Sequence, residues 1–505
     1  MRSQWIHVQT MRWLEVVLAA GCLLLSSSCT ALKVAGIVQG ALILQSSTRL
    51  SNYFYNGLPF EPTGLQQVVG GEHPAYFAAV EADDRGWFAE PRQAHAILDS
   101  LTSMTRTQNV TVLTFVHGWR HNGQRGDDNV RDFKQTIRYL AHTLNLDSIC
   151  AHRLSATQGG RNTTVVGVYV GWRGKTTFEW PSCFGPLQAL LSLHVYTTFW
   201  GRKETADRVG HEDIGRFLVA LAQLKAVLPP EAHHDYSLTI VGHSFGGHLV
   251  LSALREQLEE SLLASEVRAG VDRGGGAAPS LGAYPNQLGS GANLGEVIDP
   301  LSCNILLINP AVEAAEMRYL YEVSRRSTLA DNQPPLISVF SATNDAARLV
   351  FFRVGTAASG FLVPFGSREK RHFSTTALGS EETMFTDTLT LSMNTKAAKD
   401  WAAAPLTFDP ETLATDVCAG IAMKGGGADI HTEIEDTPSP RGWITVSPLG
   451  GVKRPRAVVI VRTDSRLING HSGFFQRGYV EWLVSYIGML EHSRLARAEA
   501  GGGAQ

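Results

Sequence analysis

The sequence predicts an α/β protein with a mostly parallel central sheet, helices on both faces and an insertion before the last strand. Three observations carry that expectation. From about Gln108 onward, short runs of β-branched residues alternate with longer stretches of helical period, the rhythm of strands joined by crossover helices. Within the short runs the apolar residues are nearly continuous, as in strands covered on both faces. Between the last two runs, 366–454 has mixed polarity and no clear period, so it reads as an insertion packed on the core. The bulk composition agrees: 505 residues with 44% hydrophobic and 18% charged side chains can bury a large core. A net charge of −3 without long basic runs offers nucleic acid no electrostatic footprint, and that class of partner is set aside.

The chain starts differently. Met1–Lys33 places Arg2 and Arg12 ahead of an apolar run, Trp13–Leu25, that ends in small residues, the layout of a signal peptide over 1–29. The run is short for a bilayer span, which takes roughly 20 helical residues. Its end, Leu25-Ser26-Ser27-Ser28-Cys29, resembles a bacterial lipoprotein signal, so Cys29 is the candidate lipid anchor. Cys22 ranks second because Arg12 and Glu15 interrupt the apolar run before it. An uncleaved signal anchor continuing through Val34–Leu44 is the alternative, and Met11 would be a tidier start. Either anchor implies attachment to a membrane at the bacterial envelope. Residues 30–107 then read as an N-terminal extension packed on the core or tethering it.

Six runs predict strands, five of them in a core over 108–365: Val110–Val116 (VTVLTFV), Thr164–Val170 (TVVGVYV), Ser237–Val241 (SLTIV), Asn304–Ile308 (NILLI) and Leu336–Phe340 (LISVF). The sixth, Ala457–Val461 (AVVIV), opens a last unit over 456–493 that follows the insertion or cap-like region 366–455. Val130, Phe133, Ile137, Leu140 and Leu144 keep a helical stripe, with Asp127 or Asp128 placed to cap it. Ile214, Phe217, Leu221, Leu224 and Leu228 make another, stopped by Pro229-Pro230. Gly274–Ala292, rich in Gly, Pro and Ser, reads as a surface excursion, and the glycine-ended tail 494–505 as disordered. Cys150, Cys183, Cys303 and Cys418 are too widely spaced to indicate a pairing, a metal site or a redox motif.

The chemistry centres on SLTIVGHSFGGHLV, Ser237–Val250. The pattern Gly242-x-Ser244-x-Gly246 is weak alone in a chain with 49 glycines. Its setting strengthens it, because β-formers precede Ser244 and residues of helical composition follow. A serine on so sharp a strand-to-helix turn is strained, and bulk at 242 or 246 would clash, so the glycines have a physical role. The first helical N–H groups would face a reacting oxygen. At this point the chain resembles the α/β-hydrolase superfamily, with Gly242-His243-Ser244-Phe245-Gly246 similar to its nucleophile elbow.

The resemblance implies further roles. His117-Gly118, ending the first strong strand, matches the place where the family builds half of an oxyanion hole, with the N–H groups of Trp119 and Phe245 as donors. The family's order of Ser, then acid, then His points downstream to Asp345, just past the strand Leu336–Phe340, and to His471, in the loop after Ala457–Val461. Asp464 and Glu313 are rival acids. His372, His431 and His492 compete with His471 by residue type only. Gly171-Trp172-Arg173-Gly174 is also similar to a group of bacterial members assigned as esterases or lipase-like proteins. Arg173 could meet an acidic substrate group or tie its loop to a carboxylate. Phe184–Trp200 reads as a buried helix, with an acyl-pocket lining or a membrane approach as the alternative.

The expectation is therefore a serine hydrolase that cleaves a small-molecule or lipid carboxylic ester through an acyl-enzyme on Ser244. An acyltransferase or peptidase with the same nucleophile, and a non-catalytic binding protein keeping the fold, are the alternatives. No cofactor is implied. No metal is either, since His233-His234-Asp235 is an adjacent triplet that cannot share one face. For the anchor, mass spectrometry of membrane-fraction protein should find a lipidated N-terminus at Cys29. An intact terminus at Met1 or Met11 would refute it.

Overall fold

Runs dense in Val, Ile, Thr and aromatic residues pair into one ten-stranded sheet in a computed structural model of the chain. It describes residues 64–69, 74–119, 121–154, 163–174, 193–227, 234–272, 303–326, 334–352, 366–392, 395–406, 444–449 and 457–502. The strands are β1 (Gln66–Val69), β2 (Ala75–Ala82), β3 (Asn109–Val116), β4 (Thr163–Trp172), β5 (Tyr236–His243), β6 (Cys303–Ile308), β7 (Ile337–Ala342), β8 (Asp387–Leu391), β9 (Ile444–Pro448) and β10 (Val458–Thr463). Their order is β1-β2-β4-β3-β5-β6-β7-β10-β8-β9. Neighbours run parallel except in the outermost pairs, β1 with β2 and β8 with β9.

All six runs expected from the sequence are strands, with ends that differ by a residue or two. The other four, β1, β2, β8 and β9, lie outside those runs. β2 comes from 30–107 and lies inside the sheet, paired with β4 from Ala75↔Val165 to Ala82↔Trp172. Its sequence, AYFAAVEA, is rich in alanine, a poor strand former, and its pairing with β4 outweighs that preference. β8 and β9 come from 366–455, so that stretch widens the sheet as well as packing on it.

Side-chain alternation divides each strand between two cores. In β4, Val166, Val168, Val170 and Trp172 face one core, while Val165 and Tyr169 face the other. The first core is covered by α1 (Pro91–Met104), α3 (Leu193–His211), α4 (Asp213–Val227), α5 (Phe245–Asp272) and α6 (Ala314–Arg326). The second is covered by α2 (Asp128–Leu154), α8 (Lys396–Ala403) and α9 (Arg477–Gly502). A short α7 (Arg368–Thr375) lies between β7 and β8 in sequence.

Most of the two expected stripes is buried, Val130, Phe133, Ile137 and Leu140 on α2 and Ile214, Phe217, Leu221 and Leu224 on α4; Leu144 is half-buried, and Leu228 with Pro229-Pro230 lies outside the described residues. Asp127 caps α2, its Oδ1 accepting from Asn129 N at 2.9 Å. α9 runs to Gly502 where the tail reads as disordered. Leu495, Ala496, Arg497, Ala498, Glu499 and Ala500 are strong helix formers, and they extend the helix to the glycines. Cys303 is buried in β6. Cys22, Cys29, Val34–Leu44, Cys183, Gly274–Ala292 and Cys418 lie outside the described residues, as does the side chain of Cys150. Among the described residues no helix is long and apolar enough to cross a membrane.

One contact shows how tightly helix and sheet meet. A Cβ on Gly167 of β4 would stand 2.0 Å from Ile137 Cδ1 on α2. Gly167→Ala should therefore lower stability by about 1–3 kcal/mol in urea denaturation, and that cost should vanish in an Ile137→Ala background. An equal cost in both backgrounds would place the strain elsewhere.

Candidate active site

Ser244 joins β5 to α5 with φ 56°, a left-handed backbone that non-glycine residues seldom adopt. Its amide donates to Ile308 O at 3.1 Å, and its carbonyl accepts from Gly247 N and Ala311 N, both at 3.0 Å. The end of β6 and the chain just past it thus hold the turn from one side. Crowding on the other side explains the glycines: a Cβ at Gly246 would lie 2.1 Å from Val116 O, and one at Gly242 2.7 Å from Gly247 Cα. Both positions exclude any side chain.

The register brings the residues expected downstream to the same edge. Ser244 Oγ–H donates to His471 Nε2 at 2.7 Å, and His471 Nδ1–H donates to Asp345 Oδ2 at 2.8 Å. A carboxylate only accepts, so the imidazole proton is placed on Nδ1 and the Nε2 lone pair faces the serine. Ser244 is 3% exposed and Asp345 is fully buried. Asp345 Oδ1 also accepts from Arg348 N at 3.1 Å, and Arg348 Nε lies 3.6 Å from Oδ2. Burial alone would raise the Asp345 pKa, but the hydrogen bond and charge of His471, aided by Arg348, outweigh it and hold the carboxyl below its usual range. Arg348, buried with its Nη2 donating to Ala342 O at 2.6 Å, is itself pulled down by burial to about 10, against the attraction of Asp345.

The rival residues go elsewhere. Asp464 accepts from Arg466 Nε at 2.9 Å and from Leu391 N at 3.4 Å, which makes it a brace of the His471 loop. Glu313 pairs with Lys203 of α3. His372 faces Glu381 Oε2 at 2.7 Å. His431, and the side chain of His492 on α9, lie outside the described residues. Arg173 reaches Asp84 Oδ2 at 3.4 Å, beside Arg202, which donates to Asp84 Oδ1 at 2.8 Å, so it ties its loop to a carboxylate. Of Phe184–Trp200, the part from Leu193 is helical and 184–192 lies outside the described residues.

The loop after β3 is shaped by His117. Its Nδ1–H donates to Gly118 O at 2.9 Å, while Nε2 accepts from Trp172 N at 3.0 Å. The Trp172 indole donates back to His117 O at 2.8 Å. The ring is stacked between Tyr169 and Trp172, with centroids 5.6 and 5.7 Å away. This loop presses Gly118 against the turn so closely that a Cβ there would be 2.7 Å from Ser244 Cβ. Trp119 follows Gly118 on that loop, half-buried, and Phe245 begins α5. Three residues with no expected role also meet the site: His243 and Asn309, both bonded to His471 O, and Arg348. The one available signal was Asn309 directly after a strand, since Asn tolerates the left-handed backbone it has here, φ 44°.

Among the described residues no group of three or more His, Cys, Asp or Glu could hold a metal ion. Compared with known protein families, with curated proteins and with solved structures, the chain matches none.

Burial pushes the His117 pKa down to about 4 from its ordinary 6.5. Between those values the unfolded chain binds a proton that the folded chain refuses. The stability from a neutral His117 is therefore complete above about pH 6.5 and lost as pH falls toward 4, by roughly 3 kcal/mol in all. Urea denaturation should show stability falling from pH 7 to pH 4.5, with a shallower slope in His117→Asn. Identical slopes would refute this.

Proposed function

We propose that the chain is a serine hydrolase with an α/β-hydrolase fold, cleaving carboxylic esters through an acyl-enzyme on Ser244. One observation carries the reading. A serine held in a left-handed strand-to-helix turn is hydrogen-bonded to His471, which is bonded to the buried Asp345, in the chain order Ser, Asp, His. The glycines crowded around the turn, and the His117-Gly118 loop pressed against it, support the same reading.

The geometry suits the chemistry step by step. As Ser244 Oγ attacks the ester carbonyl carbon, its proton passes to His471 Nε2 along the 2.7 Å hydrogen bond. Asp345 accepts from Nδ1–H throughout, fixing the tautomer and stabilising the imidazolium. Against the effect of its burial, the hydrogen bond and charge of His471, with Arg348 beside it, keep that carboxylate ionised, ready to do so. The oxyanion meets the Phe245 N–H, at the positive end of α5, and the Trp119 N–H from the loop that His117 shapes. The imidazolium then gives its proton to the departing alcohol. Water, deprotonated by the same Nε2, attacks the acyl carbon, and the imidazolium returns that proton to Ser244 Oγ as the bond to the serine breaks and the acid leaves.

The substrate in this reading is a small-molecule or lipid ester. The layout of Met1–Lys33 supports a place at the bacterial envelope, with Cys29 as the lipidated residue or the whole segment as a signal anchor.

A fluorophosphonate probe should label the folded protein, and Ser244→Ala should abolish both labelling and hydrolysis of short- and long-chain p-nitrophenyl esters. Asp345→Asn should lower kcat by on the order of 10³- to 10⁴-fold, because the amide favours the wrong imidazole tautomer. Asp464→Asn should leave kcat within a few-fold. An unlabelled folded wild type would sink the proposal, and the reverse ranking of the two aspartates would move the acid to Asp464.

A further inference from the structure

The general base of this site is held by its main chain as well as by its ring. We propose that His243 and Asn309 are positioning residues: together they clamp the main-chain carbonyl of His471 and so set the distance between the imidazole and Ser244. The kinetic part of this proposal rests on the hydrolase reading; the structural part does not.

His471 O accepts two hydrogen bonds, from His243 Nε2–H at 2.9 Å and from Asn309 Nδ2–H at 2.9 Å. Asn309 uses its remaining groups as fully. Its Nδ2 also donates to Gly470 O at 3.1 Å, its Oδ1 accepts from Ala342 N at 2.8 Å, and its own amide donates to Phe340 O at 2.8 Å. Two carbonyl partners and one N–H partner fix which end of the side-chain amide is which. Asn309 is fully buried and left-handed, at a position where the neighbouring β7 holds both its backbone and its side chain. It is therefore a rigid arm from the end of β6 to the His471 loop.

His243 supplies the second arm from the end of β5. Its partner is a carbonyl, so the ring must carry its proton on Nε2. Nδ1 is buried with no hydrogen-bond partner, facing the backbone of Gly118, where a Cβ would be only 2.9 Å away. A proton there would find no acceptor, which restricts the ring to one neutral tautomer. Packing holds its plane, with the Phe474 ring 4.4 Å and the His471 ring 5.0 Å from it.

The loop needs such a clamp. Gly470 is left-handed, φ 67°, and a Cβ on it would touch nothing within 4 Å, so side-chain packing does not hold the loop at that point. The ties of Gly470 N and of the Asn469 side chain to Asn344, at 2.8 and 3.0 Å, go to an exposed side chain. Beside the ring's own bond to Asp345, the buried bonds from His243 and Asn309 hold the main chain of the loop, and both start beside the nucleophile. His243 precedes Ser244, and Asn309 follows Ile308, whose carbonyl accepts from Ser244 N. Nucleophile and base are thus referenced to the same two strand ends.

Histidine NMR on ¹⁵N-labelled protein tests the structural part. The His243 ring should stay neutral, with its proton on Nε2, from pH 5 to 9, because burial, aided by the charges of His471 and His121, holds its pKa well below the ordinary value against the hydrogen bond to His471 O and the pull of Asp345. A ring that titrates in that range, or carries its proton on Nδ1, overturns the clamp whether or not the protein is a hydrolase. Kinetics test the rest. Asn309→Asp and His243→Leu should each lower kcat and the rate of fluorophosphonate labelling by on the order of 10- to 100-fold, with KM little changed. His243→Gln, whose amide nitrogen can take the place of Nε2, should stay within about 3-fold of wild type. Equal losses in His243→Leu and His243→Gln would show that ring packing matters and the donor does not, which also overturns the proposal. Wild type that keeps the His243 tautomer but resists labelling would refute the hydrolase reading and leave the clamp standing as a structural device.

Discussion

The left-handed backbone of Ser244 is the constraint on which the rest of this site depends. Such a conformation costs of order 1–3 kcal/mol and persists only where its surroundings over-determine it. Here they do. β6 and the chain just past it grip both polar groups of the Ser244 backbone, and the carbonyls of Val116 and His117 close in on Gly246 from β3. Three strand ends are thereby locked in one arrangement, with Val116 level with Gly242 and His243 level with Ile308. Relaxing the serine to an ordinary backbone would require those three ends to part. The strain is also what turns Oγ away from the strand axis and toward the loop that carries His471.

That loop can meet the serine because parallel pairing puts the carboxyl ends of the strands in a row. His117 follows β3, Ser244 follows β5, Asn309 follows β6, Asp345 lies just past β7 and His471 lies in the loop after β10. Residues more than two hundred positions apart become neighbours with no long side chain needed to bridge them. The row is graded in burial, from the fully buried Asp345 to the His471 side chain, 24% exposed. A lone carboxylate so deep would take up a proton. Asp345 avoids that by facing two cation-capable partners, His471 on one side and Arg348 on the other. Arg348 is as dependent on Asp345 as the reverse, since burial disfavours its own charge. The pair lets the acid stay ionised without opening it to water.

Much of this was legible in the sequence, and the gaps have physical reasons. The six strands with dense β-branched residues were readable because both of their faces are buried, which makes the signal continuous. β2 was hidden by its alanines, and β8 by the mixture of Thr and Leu that suits a strand near the sheet edge. Ser244, Asp345 and His471 were readable because each is a reactive residue type directly after a strand or in the loop that follows it, and because their order is the one that the resemblance to the α/β-hydrolase superfamily implies. His243 and Asn309 were not readable in the same way. Their roles lie in what their side chains donate to a main-chain carbonyl 228 and 162 positions away, and no local pattern records such a partner. Arg348 escaped for a related reason. An arginine three residues after an aspartate suggests a surface ion pair, and only the fold puts both in the interior.

Asp464 shows how the insertion and the site are connected. As an acid it competes with Asp345 on sequence grounds, but its carboxylate is spent on Arg466 and on Leu391 N of β8. Arg466 Nη2 in turn donates to Leu391 O at 2.8 Å, and Asp464 N donates to Leu389 O at 2.8 Å. On the inner side β10 is held by β7 along its full length, from Val458↔Ile337 to Thr463↔Ala342. On the outer side β8 pairs with it only at Val461, Arg462 and Thr463, the three residues that lead into the His471 loop. Support from β8 is thus concentrated where the loop departs. The segment 366–455 therefore does more than decorate the fold: by supplying β8 it braces the start of the loop from outside, while the donors of β5 and β6 hold its far end from inside. The imidazole sits between these two anchorages, which is how a base on a loop can keep a 2.7 Å hydrogen bond to a strained serine.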